Sequence, residues 1–484
     1  MTAPRPTNRL RVLVAIASFG EKNLAYLQRL IRRYQAMAME VDIVVTSERP
    51  KSVDLGVEVI FGTPTRDPRS LPFAHTKLFA ERLDRYDLFI YTEDDIDVSE
   101  ATISAFIRAS EILPQDEIAG FIRYEASPDG TRYFPDVHGR FRWRPGSVRS
   151  RHGEVFAEFT NEHAGFYIVT NDQLKRAIKS GNYLVAPYQG RYNMLESAAT
   201  NIYVNCGFRK VICISQFDQF LLHHMPNNYI GKVGAVGSIV EEQLCTLLRI
   251  QRGEQFVAEL CPVEPKVFES KWGKRYDDIV SRELLEAIPH GGSALTVGYG
   301  DGSLETELGR RGVRLTVFPL DSIVSAQASR RGLEVIDGTI EECLKAVRGR
   351  QFDCVIITNL IHLVSDPSQL LKQAAALVGG GGSLIVESPN FQHLPTLVLQ
   401  AIGFRDYRKL REFSVSGLHT KTIGEIKQVI ESSDLRVASQ EWSDRGFPGP
   451  FARFASLVGR YGARAWVMKA VRDSSSRKRS QLAT

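Results

Sequence analysis

The densest chemistry in the chain is Tyr91–Ser99, YTEDDIDVS, where Glu93, Asp94 and Asp95 stand in a row. Carboxylates packed this closely repel each other, so the cluster calls for a cation. Hard divalent ions take carboxylate oxygens and bridge protein acids to phosphates. The acids follow Asp87–Thr92, DLFIYT, which reads as a buried strand. The carboxyl end of a parallel strand is where open α/β sheets hold ligands. The competing reading is a solvated acidic turn, with Asp97 or Ser99 capping the next helix. Further on, His223 and His224 are adjacent in LHHMPNNY, and Glu162, Glu196 and Asp218 are carboxylates outside the cluster. A second centre is Val297–Gly302, VGYGDG, where Gly298, Gly300 and Gly302 follow a strand. Glycines there let the backbone approach a ligand, and the helix that follows turns its N-terminus toward it.

Two strand-and-helix series must position these residues. One starts at Arg11–Gly20, RVLVAIASFG, and the other at Ser293–Gly302, SALTVGYGDG. Apolar strands alternating with helical stretches predict α/β sheets in both. In the first series, Leu24–Met37 reads as a helix, with Val41–Thr46, Asp87–Thr92, Gly165–Thr170 and Lys210–Ser215 as strands. Ser127–Arg151 reads as a long surface loop of the kind that often forms a lid. In the second series the expected strands are Ala294–Val297, Arg314–Phe318, Leu333–Ile336, Phe352–Ile357 and Ser383–Glu387, with Ala465–Met468 last. The prolines of Cys261–Lys274 mark the boundary. The expected layout is residues 1–260, a linker over 261–283, a second domain over 284–473 and a disordered basic tail over 474–484.

The chain has 484 residues, 43% hydrophobic and 24% charged, with a net charge of +5. This composition excludes disordered, collagen-like and coiled-coil classes. The small surplus of charge argues against a dedicated nucleic-acid binder. None of the six cysteines forms a C-x-x-C pair, which removes zinc-ribbon and thioredoxin readings. Scattered cysteines and the lack of an apolar run of about 18 residues point to a cytoplasmic protein. Phe451–Arg472, with aromatics among arginines, could lie on an anionic membrane or close the second sheet.

The segment FIYTEDDIDVSEATISAF resembles the E-D-D version of the D-x-D motif in nucleotide-sugar-dependent glycosyltransferases of GT-A fold. The resemblance spans roughly residues 10–230. It implies that Asp95 binds Mn²⁺ or Mg²⁺, that Glu93 and Asp94 hold the donor or metal-bound water, and that His224 (rather than His223) supplies a late ligand. Asp95-Ile96-Asp97 is also a literal D-x-D, which leaves the register open by two residues. Ala17, Ser18, Thr46 and Glu48 would hold the donor at the ends of the first two strands, with His75 and Lys77 facing its diphosphate. Inverting transfer needs a carboxylate to deprotonate the acceptor. Glu196 is favoured over Glu162 and Asp218 because it opens a small-residue helix where the family keeps its base. The partners implied are a nucleotide sugar and a glycan or glycolipid, with peripheral membrane association.

The glycine loop, FPLD, VIDGT and the stretch Phe352–Asn390 are similar to the class I S-adenosylmethionine-dependent methyltransferases over about residues 268–470. This implies two Rossmann-like domains in one chain and a bifunctional enzyme that methylates the same glycan. The family's usual acids are missing here: Thr296, Pro319 and Thr339 occupy their places. Asp301, Asp321 and Asp337 lie near enough to compensate, with Asp321 and Asp337 expected on the cofactor beside Gly298, Gly300 and Gly302. If they do not, the second domain is a non-catalytic docking module; a further alternative is that only the methyltransferase works.

Overall fold

The computed structural model describes residues 9–53, 56–135, 142–232, 234–261, 265–267, 269–274, 276, 279–443 and 459–473. The chain divides into two compact units, Met1–Glu254 and Gln255–Thr484.

The first unit is built on a five-stranded sheet. Its order is Phe166–Thr170, Leu88–Glu93, Arg11–Ser18, Glu40–Ser47, Glu58–Phe61. All pairings are parallel except that of Phe166–Thr170 with Leu88–Glu93. Arg11–Ser18 and Leu88–Glu93 are neighbours in space but not in sequence, so chain order reverses between them. That makes their carboxyl ends the topological switch point, the usual ligand crevice of such a sheet. The strand centres Val12–Ile16 and Phe89–Tyr91 are fully buried or nearly so, as expected for a sheet covered on both faces. The helix Leu24–Gln35 buries Leu27, Leu30, Ile31 and Tyr34 on one face.

Two smaller sheets complete this unit. One pairs Arg209–Cys213 with Glu154–Glu158 and Glu117–Ala119, and the other holds Leu221–His224 between Ile122–Ala126 and Ile96–Asp97. The expected loop over 127–151 is partly structured. It contains the strands Arg132–Phe134 and Arg149–Arg151 and a fully buried Trp143. Short strands among arginines and prolines carry little alternation, which hid them. Residues 136–141 of that stretch lie outside the described residues.

The second unit has one seven-stranded sheet. Its order is Glu334–Val335, Arg314–Pro319, Ser293–Tyr299, Phe352–Thr358, Val378–Pro389, Ala465–Val471, Arg436–Ser443. Numbered along the chain this is 3-2-1-4-5-7-6, with the seventh strand antiparallel to both neighbours. The switch point falls between Ser293–Tyr299 and Phe352–Thr358, beside the glycine loop. The stretch expected to be a linker belongs to this unit. Leu260 donates its amide to the Leu320 carbonyl (2.9 Å), and Leu260, Val267 and Trp272 are buried in the unit's cores. Apolar side chains, not the prolines, decide where this segment goes. In the region read as membrane-facing or sheet-closing, Ala465–Val471 is a buried strand, while residues 451–458 and the tail from 474 lie outside the described residues.

Candidate functional sites

At the first switch point, a cavity of about 310 Å³ is lined by Ala17, Asn23, Glu93, Asp94, Asp95, His163 and Glu196, with Phe19, Leu195 and Arg69 among the others. This is the size of a small-ligand pocket. The strand pairing sets its floor: Ala17 stands opposite Glu93, and the Asp94 amide donates to the Ala17 carbonyl at 3.1 Å. Gly165 takes a left-handed conformation with its own carbonyl on the Glu93 amide. A side chain there would meet the Glu93 carboxylate at 2.9 Å.

The three acids have different environments. Asp94 is buried and accepts from the Ser18 hydroxyl at 2.6 Å and the Asn23 amide at 2.8 Å. Burial raises its pKa to about 6, against those two hydrogen bonds. Burial also pushes Glu93 well above the usual carboxylate range, with Asp95 adding to the rise and Arg123 opposing it. Asp95 accepts from Asn23 at 3.1 Å through Oδ2, which lies 3.4 Å from Nε2 of His224. Its other oxygen, Oδ1, is buried with no hydrogen-bond partner among the described residues. His224 is fixed from behind by Glu125, whose Oε1 lies 2.6 Å from Nδ1. A carboxylate behind an imidazole orients its other nitrogen as a ligand.

The candidates left open by the motif occupy different places in the fold. Asp97 turns away to Arg29 and Arg33 of the helix Leu24–Gln35, so the second D-x-D register does not reach the cavity. His223 stacks on Tyr124 and pairs with Asn227, leaving His224 at Asp95. Glu162 is held by Arg191 (2.8 Å) and Tyr192 (2.5 Å), and Asp218 is an exposed partner of Arg132. Glu196 alone of the three lines the cavity. It is buried in the first turn of Met194–Val204, behind the Asn193 cap, where the helix dipole favours its charge.

Other expected donor contacts are placed elsewhere. Thr46 is buried and bonds the Ile16 carbonyl, so it faces the sheet. Glu48 accepts the Gly20 amide at 3.0 Å and holds the turn after the first strand. Ser18 is fully buried and joins Lys51 (2.6 Å) to Asp94. His75 does not face a diphosphate: it is buried among Tyr91, Tyr167 and Phe79, and burial lowers its pKa to about 3. Lys77 is exposed and pairs with Glu81. Asn23, His163, Arg69 and Glu125 were not singled out from the sequence. Asn23 sits in a turn directly after the first strand, and that position was the available signal.

Among the described residues, no three His, Cys, Asp or Glu side chains converge as a metal site. Asp95 Oδ2 and His224 Nε2 lie 3.4 Å apart, and a divalent ion held there would need its other ligands from outside the chain. The unpartnered Asp95 Oδ1 is the observation in favour.

In the second unit, the cleft beside the glycine loop is lined by Gly298, Gly300, Gly302, Lys274, Glu305, Thr358 and Glu387, with Tyr276 and Asp301 among the others. Gly298 and Gly302 have left-handed backbones. Asp321 is not presented to the cleft. It caps the helix Ser322–Arg330 by accepting the Ile323 and Val324 amides, and takes the Tyr276 hydroxyl on its other oxygen. Asp337 is half-buried, with Oδ1 lacking a hydrogen-bond partner among the described residues. Asp301 accepts from the Ser303 amide of its own helix at 2.9 Å.

The cleft has an acid the motif did not show. Glu305, one turn into the helix Ser303–Arg310, is buried beside Thr296, the residue standing where an acid was expected. Burial raises its pKa, while Thr296 and Lys274 oppose the rise. Lys274 lies in the cleft with Nζ on the Thr358 carbonyl (3.1 Å) and hydroxyl (3.3 Å). The Tyr276 carbonyl accepts the Asp301 amide at 2.8 Å and packs on Gly300. Free space in the cleft is about 30 Å³, roughly one water.

Residues 278–456 match the family model described as methionine biosynthesis protein MetW. The bifunctional methionine biosynthesis protein MetXA/MetW of Rhodopirellula baltica is 29% identical over 158 residues, 31% of this chain and 23% of that protein. A ubiquinone biosynthesis O-methyltransferase of a Caulobacter species is 30% identical over 115 residues, 22% of this chain and 45% of that protein. The chain thus spans less than half the length of either curated relative. An S-adenosylmethionine-dependent methyltransferase from Mesorhizobium loti superposes with a TM-score of 0.30 at 16% identity, over 39% of this chain and 96% of that one. The second unit is methyltransferase-like, of the S-adenosylmethionine-dependent class I type. Among the described residues, no helix is long and apolar enough to cross a membrane.

The cleft offers a carbonyl and a buried carboxylate to a cationic group. The Lys274 ammonium sits on the Thr358 carbonyl in the same cleft as Glu305, while Glu387 accepts from the Ser281 hydroxyl (2.8 Å) and the Asn359 amide (3.2 Å). Asp337, expected on the cofactor, does not line this cleft, and its side chain hydrogen-bonds Ser325. Entry requires the Lys274 side chain to withdraw.

Proposed function

We propose that the chain is a transferase with two sites: S-adenosylmethionine-dependent methyl transfer in the second unit, and metal-dependent sugar transfer from a nucleotide-diphosphate donor in the first. For the second unit, the observation that carries the reading is the MetW family match over residues 278–456. When bound, the cofactor supplies an electrophilic methyl group. The residues that would hold it are Gly298, Gly300 and Gly302, which would admit the backbone close to it, and Glu305 and the Thr358 carbonyl, which would face its cationic part.

For the first unit, the supporting observation is that Glu93, Asp94, Asp95 and Glu196 meet in one cavity at the switch point. A divalent ion held by Asp95 and His224 would offset the charge of the leaving diphosphate. Glu196 accepts the proton of the attacking acceptor hydroxyl, and Glu93 and Asp94 orient the donor. The acceptor is a glycan or glycolipid, methylated by the second unit of the same chain. A second reading keeps methyl transfer alone, and the family match lying wholly within the second unit favours it.

Calorimetric titration with S-adenosylmethionine tests the methyl-transfer reading. Saturable binding supports it, and no heat at millimolar ligand overturns it. A thermal-shift screen of nucleotide sugars with Mn²⁺ separates the two-site reading from the second, because a bound ligand raises stability by mass action.

A further inference from the structure

The second unit begins with a short strap laid across its own sheet. Just past the boundary at Glu254, residues 258–260 run over the carboxyl end of Arg314–Pro319, strand 2 of the 3-2-1-4-5-7-6 order. Ser322 donates its amide to the Ala258 carbonyl at 3.0 Å, Leu260 donates to the Leu320 carbonyl at 2.9 Å, and Ile340 donates to the Leu260 carbonyl at 3.2 Å. The Ala258 amide donates to the Ser322 hydroxyl at 2.5 Å, and Glu259 pairs antiparallel with Asp321 as an isolated bridge. Leu260 is 2% exposed and forms the apolar anchor. Ala258 and Glu259 are half-buried, and Phe256 and Val257 just before them are exposed. Among the described residues, no strand pairs with the strap's other edge. One side chain and a few backbone bonds therefore hold it.

The strap lies where a nucleoside would. In an open α/β sheet with a glycine loop after strand 1, a nucleotide runs from that loop across the end of strand 2, where its ribose is held. Here the glycine-loop cleft has about 30 Å³ of free space. A second cavity of about 180 Å³ lies past the ends of strands 3 and 4, lined by Leu260, Cys261, Thr339, Ile340, Ser365 and Asp366 among others. Strand 2 stands between strands 1 and 3, so its covered end separates the two spaces. Neither reaches the roughly 300 Å³ at the lower end of ligand pockets. The strap also takes the Leu320 carbonyl and the Ser322 amide, the backbone groups a ligand at the end of strand 2 would meet. We propose that residues 258–261 are an autoinhibitory strap that fills the nucleoside seat of the second unit and lifts for the cofactor to bind. The inference rests on the methyl-transfer reading of this unit and adds its regulation: affinity is set by the fraction of molecules with the strap raised. Lifting Leu260 joins the two spaces. This step is separate from withdrawal of Lys274, whose contacts are with Thr358.

Two measurements on the full chain test this. Leu260→Ser removes the anchor, and calorimetry should show it binding S-adenosylmethionine about tenfold or more tightly than the wild type. Ser322→Ala, which removes only the hydroxyl bonded to Ala258, should shift affinity the same way by less. In the wild type, hydrogen exchange over residues 258–261 should speed up at saturating S-adenosylmethionine, because the strap's amides are released. A ligand that merely covers its site slows exchange around it, so the sign of the change decides. The exchange measurement uses the wild type alone and stands even where Leu260→Ser fails to fold. Equal affinity of wild type and Leu260→Ser, or exchange over 258–261 that slows or stays unchanged at saturation, would overturn the strap and leave the methyl-transfer reading standing. No binding by any of the three proteins would overturn both.

Discussion

Replacing Lys274 with alanine is expected to tighten binding of S-adenosylmethionine. The ammonium lies on the Thr358 carbonyl at 3.1 Å and its hydroxyl at 3.3 Å, inside a cleft whose remaining free space is about 30 Å³. A cofactor can enter only by displacing it, so affinity is reduced by the fraction of molecules with the lysine withdrawn. A hydrogen bond from a charged group contributes about 1.5–3 kcal/mol. The longer contact adds less, and the freed ammonium regains water, so the displacement costs roughly 1.5–3 kcal/mol. At 1.4 kcal/mol per factor of ten, the alanine variant should bind roughly 10- to 100-fold more tightly. Lys274→Arg, which keeps the charge and the bulk, should show no gain. Calorimetry on the three proteins reads this directly. Weaker binding by the alanine variant would mean that Lys274 is itself a cofactor ligand, and unchanged binding would mean that the lysine does not limit access. Either result refutes the reasoning.

Glu196→Gln should lower sugar transfer by about 10²–10⁴-fold while leaving donor affinity intact, because a general base acts on the acceptor proton; a parallel loss of donor binding would assign it to the donor instead. Lys210 is buried on the Asn161 and Glu162 carbonyls, and burial lowers its pKa to about 7. Its unfolded value is about 10.4, so the unfolded chain holds the extra proton between those values and stability rises with pH across that window. The contribution is fully present above the unfolded value and is lost as pH falls toward 7; urea unfolding over this range should show stability rising more steeply with pH in the wild type than in Lys210→Met. Gly300→Ala should cost about 1–3 kcal/mol, because a Cβ would stand 2.2 Å from the Tyr276 carbonyl oxygen. Calorimetric melting should show the lower stability, and an unchanged melting temperature would mean that this segment does not pack on the loop.

The features legible in the sequence were those with a strong local pattern. Buried runs such as VLVAIAS and FDCVIIT declare themselves as strands, and acids directly after one mark a strand end. The cavity therefore contains Ala17, Glu93, Asp94, Asp95 and Glu196 together. Residues brought in across the fold were not legible. Glu125 reaches His224 through the pairing of Ile122–Ala126 with Leu221–His224, a contact between residues 99 positions apart. Thr46 and Glu48 lie at the expected strand end, but the pleat turns Thr46 into the sheet and a turn amide occupies Glu48. The methyltransferase resemblance put Asp321 on the cofactor, yet this residue directly precedes a helix, and the cap claimed it. Lys274 was read as linker because prolines disguise a segment whose apolar residues bury.

The first-unit account depends on Asp95. Hydrolysis of a nucleotide sugar in the presence of Mn²⁺, compared between wild type and Asp95→Ala, tests it most directly. The account predicts metal-dependent release of nucleoside diphosphate by the wild type and its loss in the variant, with S-adenosylmethionine binding by the second unit unchanged. Equal release by both proteins, or release that persists in chelator, would contradict it.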